Sequence, residues 1–315
     1  MRKFTNAISS IVIADLGCSS GPNAVALVSV AVDAIFRYCA LEQQVPPELC
    51  VLLNDLPDND FNNVAKHLVA FQKDAECFGP VLTAIVPGSF YKRLFSNSSV
   101  HLAFASNSVH WLSEAPEDLI KGGIPVYDAD DDLRKGRRPL VLEAYARQFR
   151  KDFTLFLNLR AQELVPGGQM VISLPGYRSN ESAGQSNLPW DGIAFMLNDM
   201  VSRCAIDREK LDSFYIPMYG PSDKELRKII EDESSFTINN ILAHEVMNDM
   251  DRSSNTPKMM ALAARAAYEP IIVQHFGATI VEEFERTVEL HVRAGTPQLA
   301  AAGLVFLSVS LTKKV

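Results

Sequence analysis

The chain has 315 residues, 47% of them hydrophobic, and a formal net charge of −8, enough apolar material to bury a large core as one elaborated domain or two closely packed ones. The excess of acidic residues and the lack of long basic runs exclude the cationic face that nucleic-acid binding requires. Five cysteines, at 18, 39, 50, 77 and 204, form an odd set with no CxxC pair and no zinc spacing, which points to a reducing compartment.

At the amino terminus the apolar run after Arg2 and Lys3 is short and is broken by Asp15. It reads as neither a signal peptide nor a membrane span, so the expected location is the cytosol. The first strand, 11–14, runs into Asp15 and a turn containing Gly17 and Gly21, in the string IVIADLGCSSGPN. A strand ending in an acidic residue and a Gly-rich turn builds a ligand crevice outside the carboxyl end of an α/β sheet. The spacing is not GxGxxG, and the chain has no GxxxxGK[ST], so a dinucleotide or nucleoside triphosphate is disfavoured.

A helix over 24–38 follows a Pro22-Asn23 start, then a strand at 50–53 and a helix over 60–71 with Asp60 placed to cap it. Strands are predicted at 81–86 and 100–105. The dense acidic run YDADDD, 127–132, reads as a solvated loop in preference to a metal site. A long amphipathic helix over 140–164 stops at Val165-Pro166-Gly167-Gly168, ahead of a strand at 169–174. Beyond 180 the pattern is mixed: helices over 193–204 and 223–231, a loop over 211–221, one long helix over 270–292, and a last strand over 304–311, antiparallel at the sheet. Strands alternating with helices predict a mostly parallel, doubly wound sheet with helices on both faces.

Several strings together closely resemble one family: the first turn, VLLNDLPDNDFN from Val51, VPGSFYKRLF from Val86, SVHLAFASNSVHWLSEAP from Ser99, WDGIAFMLNDMV from Trp190, LDSFYIPMYGPS from Leu211 and YEPIIVQHFG from Tyr268. They resemble the SABATH plant methyltransferases, which methylate small carboxylic acids and, in one branch, xanthine nitrogens. The resemblance implies a class I methyltransferase fold, a Rossmann-like sheet with a largely helical substrate-binding cap. It is expected as a single domain with its core at about 8–176 and 300–315 and cap elements at about 112–145 and 177–295. It also implies S-adenosylmethionine as cofactor, a small carboxylic acid as substrate and a homodimer, with neither membrane nor nucleic acid as partner.

Carried over by position, the resemblance assigns cofactor contacts to Asp15, Gly17, Cys18 and Asn23, to Asp55 and Leu56 after the second strand, and to Ser89 and Phe90 at the adenine. A carboxylate after the second strand can accept both ribose hydroxyls. Trp111 is the implied holder of the acceptor carboxylate, its indole N–H being a donor only, with His110 beside it as a contact and no general base required. Asn107 and Trp190 are implied pocket residues, and Pro175, Ala264 and Leu304 fall near other pocket positions. Asn107 stands where Tyr is frequent, so the pocket departs from the salicylate pattern.

Some family members hold magnesium; here Ile120 occupies the expected Asn slot, which leaves Asp212 and the Phe214 carbonyl as an incomplete donor set for a hard cation. The family also carries an N-terminal SYxxNSxxQ-type segment over the cofactor, and MRKFTNAISS offers no counterpart. The expectation is either a truncated chain or a variant with an open cofactor site. Two alternatives stay open beside carboxyl methylation: the xanthine N-methylating branch, and a non-catalytic relative that keeps the fold.

Overall fold

The computed structural model describes residues 10–75, 79–128, 130–179, 191–245, 256–296 and 305–315. Trp190, Leu304 and Cys77 lie outside the described residues. Strands β1 (Ser10–Leu16), β2 (Glu48–Asp55), β3 (Val81–Pro87), β4 (Val100–Ser106), β5 (Leu164–Gly176), β6 (Phe236–Glu245) and β7 (Val305–Lys313) form one sheet in the order 3-2-1-4-5-7-6. The first five pair in parallel, and β7 runs antiparallel between β5 and β6. The order reverses between β1 and β4, the topological switch at which open α/β sheets form their ligand crevice.

Helices α1 (Ala26–Leu41) and α2 (Phe61–Ala75) cover the β1–β3 end of the sheet. Val28, Val32 and Phe36 of α1 and Val64 and Leu68 of α2 bury against Ile13, Leu49, Val51 and Leu53. The stretch Asn23–Leu41 is long and apolar enough to cross a membrane by length and composition alone; in this fold one of its faces is core. Asp60 accepts from the Asn63 amide at 3.1 Å and so caps α2.

The larger core lies under β4, β5 and β7 and is filled by the long helix α4 (Asp131–Glu163) with its stacked Phe149, Phe153 and Phe156. Around it lie α5 (Asp191–Ser202), α7 (Asp223–Glu233), α8 (Pro257–Phe276) and α9 (Val281–Arg293), and the short helices α3 (Glu117–Lys121) and α6 (Arg208–Asp212) add Leu119 and Leu211 to the same core.

Five sequence expectations are corrected. The acidic run 127–132 is not simply a loop: Tyr127 is buried, and Asp130 caps α4 by accepting from the Asp132 and Leu133 amides. Carboxylates favour a helix start, so α4 begins nine residues before the expected 140 and carries Pro139 within it. The Pro-Gly-Gly stop is a bulge inside β5, where pairing with β4 jumps from Val100↔Leu164 to Leu102↔Gln169. The expected helix 270–292 is two helices, parted at Gly277 with φ +98°. Finally β6 was not read at all, because a register shift between Ile238 and Asn240 interrupts its alternation; the stretch 177–295 therefore contains a strand of the main sheet as well as cap helices.

Candidate active site

The carboxyl ends of β1, β2, β3 and β4 meet at the switch point, and most of the singled-out residues lie there. Leu16 pairs with Asn54 at the ends of β1 and β2, which sets Asp15 and Asp55 on neighbouring strand ends. The turn after β1 is stitched to β2: the amides of Gly17 and Cys18 both donate to the Asn54 carbonyl at 2.9 Å. Gly17 has φ +84°, and a Cβ there would stand 2.4 Å from the Ser108 Cβ, so this position requires glycine.

The Asp55 carboxylate accepts from the Ser19 amide at 2.6 Å and the Leu56 amide at 2.7 Å, one bond to each oxygen. Each oxygen keeps a further lone pair, enough for two hydroxyls of a ribose. Leu56 is exposed beside it, as is Asn23 at the start of the next helix.

Asp15 is buried, and burial followed by repulsion from Asp55 raises its carboxyl to about 7, with the Leu16 amide offsetting part of the rise. No cation is among the groups acting on it. Burial and then the same carboxylates push the Cys18 thiol up to about 12, so Cys18 is inert and its thiol rests on the Ser19 carbonyl at 3.3 Å. An acidic recess with no cation acting on Asp15 among the described residues fits a ligand carrying a sulfonium and an ammonium, and the Asp55 oxygens fit its ribose.

Beyond β3, Asn54 again organises the backbone: its side-chain amide donates to the Val86 and Gly88 carbonyls at 2.7 and 2.8 Å. Ser89 and Phe90 follow, half-buried, with the Ser89 hydroxyl accepting from the Tyr91 amide at 3.2 Å. The Phe90 ring meets Tyr91 and Phe156 edge-on, at centroid distances of 4.8 and 5.9 Å. The remaining ring surface suits a purine.

After β4, Asn107 adopts φ +54°, which Asn tolerates better than most residues, and donates its amide to the Ser173 carbonyl at 2.7 Å. Trp111 forms an isolated antiparallel bridge with Met218, flanked by Leu112 N to Pro217 O at 2.7 Å and Tyr219 N to His110 O at 2.9 Å. The loop read at 211–221 thus seats the tryptophan. The Trp111 ring, half-buried, lies against His110 at 5.5 Å and Tyr268 of α8 at 6.1 Å. His110 is buried with no partner on Nδ1, and burial lowers it to about 4, so the ring is neutral at physiological pH.

The metal candidates were Asp212 and the Phe214 carbonyl. Asp212 lies 3.7 Å from Arg208, and Phe214 is a core ring against Tyr127, His275 and Phe276. Among the described residues no three His, Cys, Asp or Glu groups are gathered for an ion. Trp190 falls outside the described residues.

Sequence reasoning missed the residues that hold the site together. Asp152, Arg160 and Glu163 lie in α4 with no local motif, and the quoted strings that contain Asn54, Tyr91 and Tyr268 assign these three no role. Asp152 of α4 accepts from the Ser113 amide and hydroxyl at 2.8 Å each, fixing the segment just beyond Trp111. A lone buried Asp thirty-nine residues from its partner leaves no sequence signal.

A switch-point crevice with an acidic recess and a Gly turn after β1, a ribose-type acid after β2 and an aromatic wall after β4 defines a class I S-adenosylmethionine-dependent methyltransferase. The family model described as SAM dependent carboxyl methyltransferase matches residues 2–314. The chain belongs to this family, the SABATH carboxyl methyltransferases, and is an S-adenosylmethionine-dependent methyltransferase of it. It is 38% identical over 307 residues to 3,7-dimethylxanthine N-methyltransferase of Camellia sinensis var. assamica, covering 94% of this chain and 83% of that one. It is 35% identical over 308 residues to anthranilate O-methyltransferase 3 of Zea mays, covering 90% and 81%. Among solved structures it resembles loganic acid methyltransferase with SAH, at TM-score 0.79 and 29% identity over 99% of this chain and 88% of that one.

Proposed function

We propose that the chain transfers the methyl group of S-adenosylmethionine to the carboxylate of a small plant acid, giving a methyl ester and S-adenosylhomocysteine. Asp15, Gly17, Cys18 and Asn23 would line the amino-acid end of the cofactor, Asp55 and Leu56 its ribose, and Ser89 and Phe90 its adenine. When bound, the cofactor supplies an electrophilic methyl on a cationic sulfur. Trp111 would place an anionic oxygen with its indole N–H, and the rings of His110 and Tyr268 would exclude water around it. A carboxylate of pKa about 4 is already ionised at neutral pH, so no general base is needed. Positioning the oxygen at near-attack distance, roughly 3–3.5 Å from the methyl, and drying the pocket supply the acceleration.

The observation that carries this reading is the separation of roles at the switch point: two neighbouring carboxylates at the ends of β1 and β2, and a donor tryptophan beside a neutral histidine after β4. The neutral His110 ring also suits an uncharged heterocycle, which keeps xanthine N-methylation as the second reading. Anthranilate and loganic acid, which the relatives' names supply, belong in the test panel with a methylxanthine. Calorimetric binding of S-adenosylmethionine, followed by transfer to that panel, decides among the readings. Turnover of acids supports the proposal and turnover of the xanthine alone replaces it. Binding with no turnover points to a non-catalytic relative.

A further inference from the structure

The segment 88–95 bears Ser89 and Phe90, and a buried ion pair at the end of α4 grips it. Arg160 and Glu163 are each 1% exposed and bonded to one another at 2.7 Å. Arg160 donates from Nη1 to the Phe90 carbonyl at 2.8 Å and from Nη2 to the Lys92 carbonyl at 3.0 Å. Glu163 Oε1 accepts from the Leu94 amide at 2.7 Å, the Phe95 amide at 3.2 Å and Arg93 Nε at 3.3 Å. Burying two charges is costly and often replaceable by apolar packing, so the pair's distinctive product is specificity: four bonds to loop backbone that admit one loop conformation.

The same segment reaches the other half of the site. The Tyr91 hydroxyl donates to the Trp111 carbonyl at 2.7 Å. The indole proposed to hold the acceptor is therefore tied, through its own backbone, to the residue next to the proposed adenine contact. Burial, with Asp152 nearby, pushes the Tyr91 phenol well above its ordinary range, so it remains a donor.

We propose that segment 88–95 is a rigid bridge registering the two half-sites, with Arg160 and Glu163 as positioning residues for the adenine end and Tyr91 as the positioning residue that transmits occupancy there to Trp111. The proposal rests on the cofactor assignment above. The chain has two tryptophans, so Trp111 emission is read in each background as the difference made by adding Trp111→Phe, and S-adenosylhomocysteine is the probe. In the otherwise unsubstituted chain, S-adenosylhomocysteine binding should change Trp111 emission. Tyr91→Phe should keep the dissociation constant within about threefold and lose most of the emission change, whereas Glu163→Gln should weaken binding by about tenfold or more, as expected for losing charge-assisted bonds.

A full emission response in Tyr91→Phe, or parental affinity in folded Glu163→Gln, overturns the bridge while leaving the cofactor assignment standing. Failure of the unsubstituted chain to bind S-adenosylhomocysteine overturns both. Should Glu163→Gln not fold, Tyr91→Phe decides alone, because removing one hydroxyl leaves every backbone bond of the loop in place.

Discussion

Asp15 shows how a single buried group can tie stability to ligand binding. With its carboxyl raised to about 7 in the folded chain and near 3.8 when unfolded, the fold retains a proton that the unfolded chain has lost between those values. Stability of the ligand-free protein should therefore fall as pH rises from about 4 to about 7, by up to roughly 4 kcal/mol, and level off above. Urea midpoints at pH 5 and pH 8 should differ accordingly in the wild type and much less in Asp15→Asn. A bound cation favours the ionised carboxylate, so affinity for S-adenosylmethionine should rise from pH 6 to pH 8, and that slope too should shrink in Asp15→Asn. Two further substitutions separate the half-sites. Asp55→Ala should weaken cofactor binding by about tenfold or more, and Trp111→Ala should raise the acceptor KM while sparing cofactor affinity; separate titrations of the two ligands would reveal a reversal. At this scale the sequence was most informative where chemistry sits in short strings, as at Asp15, Asp55, Ser89 and Trp111. It assigned no role to Asn54 or Arg160, whose side chains donate to backbone carbonyls 32 to 70 residues away along the chain.

At the scale of elements, legibility followed local pattern. The strands β1, β2, β4 and β5 are legible because buried parallel strands read as apolar runs, the half-exposed edge strand β3 because its residues are still apolar or β-branched, and α2 because Asp60 stands at its start. The start of α4 was misplaced because Gly136 and Pro139 look like breakers, whereas the cap lies upstream at Asp130. Asp130→Ala should cost about 1 kcal/mol, the usual worth of such a cap, read as a lowered Tm with unchanged cofactor affinity. The strand β6 was missed because its bulge puts two asparagines where alternation would place one outward residue. The break between α8 and α9 falls at Gly277, with φ +98°, inside a segment whose apolar spacing around Phe276 and Phe284 reads as one helix.

For the whole molecule, the two hydrophobic clusters divide the labour: one under β1 and β2 supports the acidic recess, the other under β4, β5 and β7 supports the aromatic wall. The second depends on β7, whose Leu307, Val309 and Leu311 are buried and which pairs on both sides. Each such side chain contributes about 1.5–3 kcal/mol, so losing all three together with two ladders takes away an amount comparable with the roughly 5–15 kcal/mol that domains have to spare. A chain ending at residue 304 should accordingly show no cooperative melting transition, whereas one ending at 313 should melt like the full length.

The position of β7 also bears on how the protein is born. Both of its neighbours precede it, β5 by about 130 residues, which at about 5–20 residues per second is a delay on the order of ten seconds. Throughout that interval β5 has an apolar flank with no strand to pair with, and β6 emerges without contact to the sheet it will join. The nascent chain therefore has β1 to β5 available to pair well before β7 arrives to join β5 and β6. During translation this is the period in which chaperone capture, or pairing with the wrong strand, competes with folding.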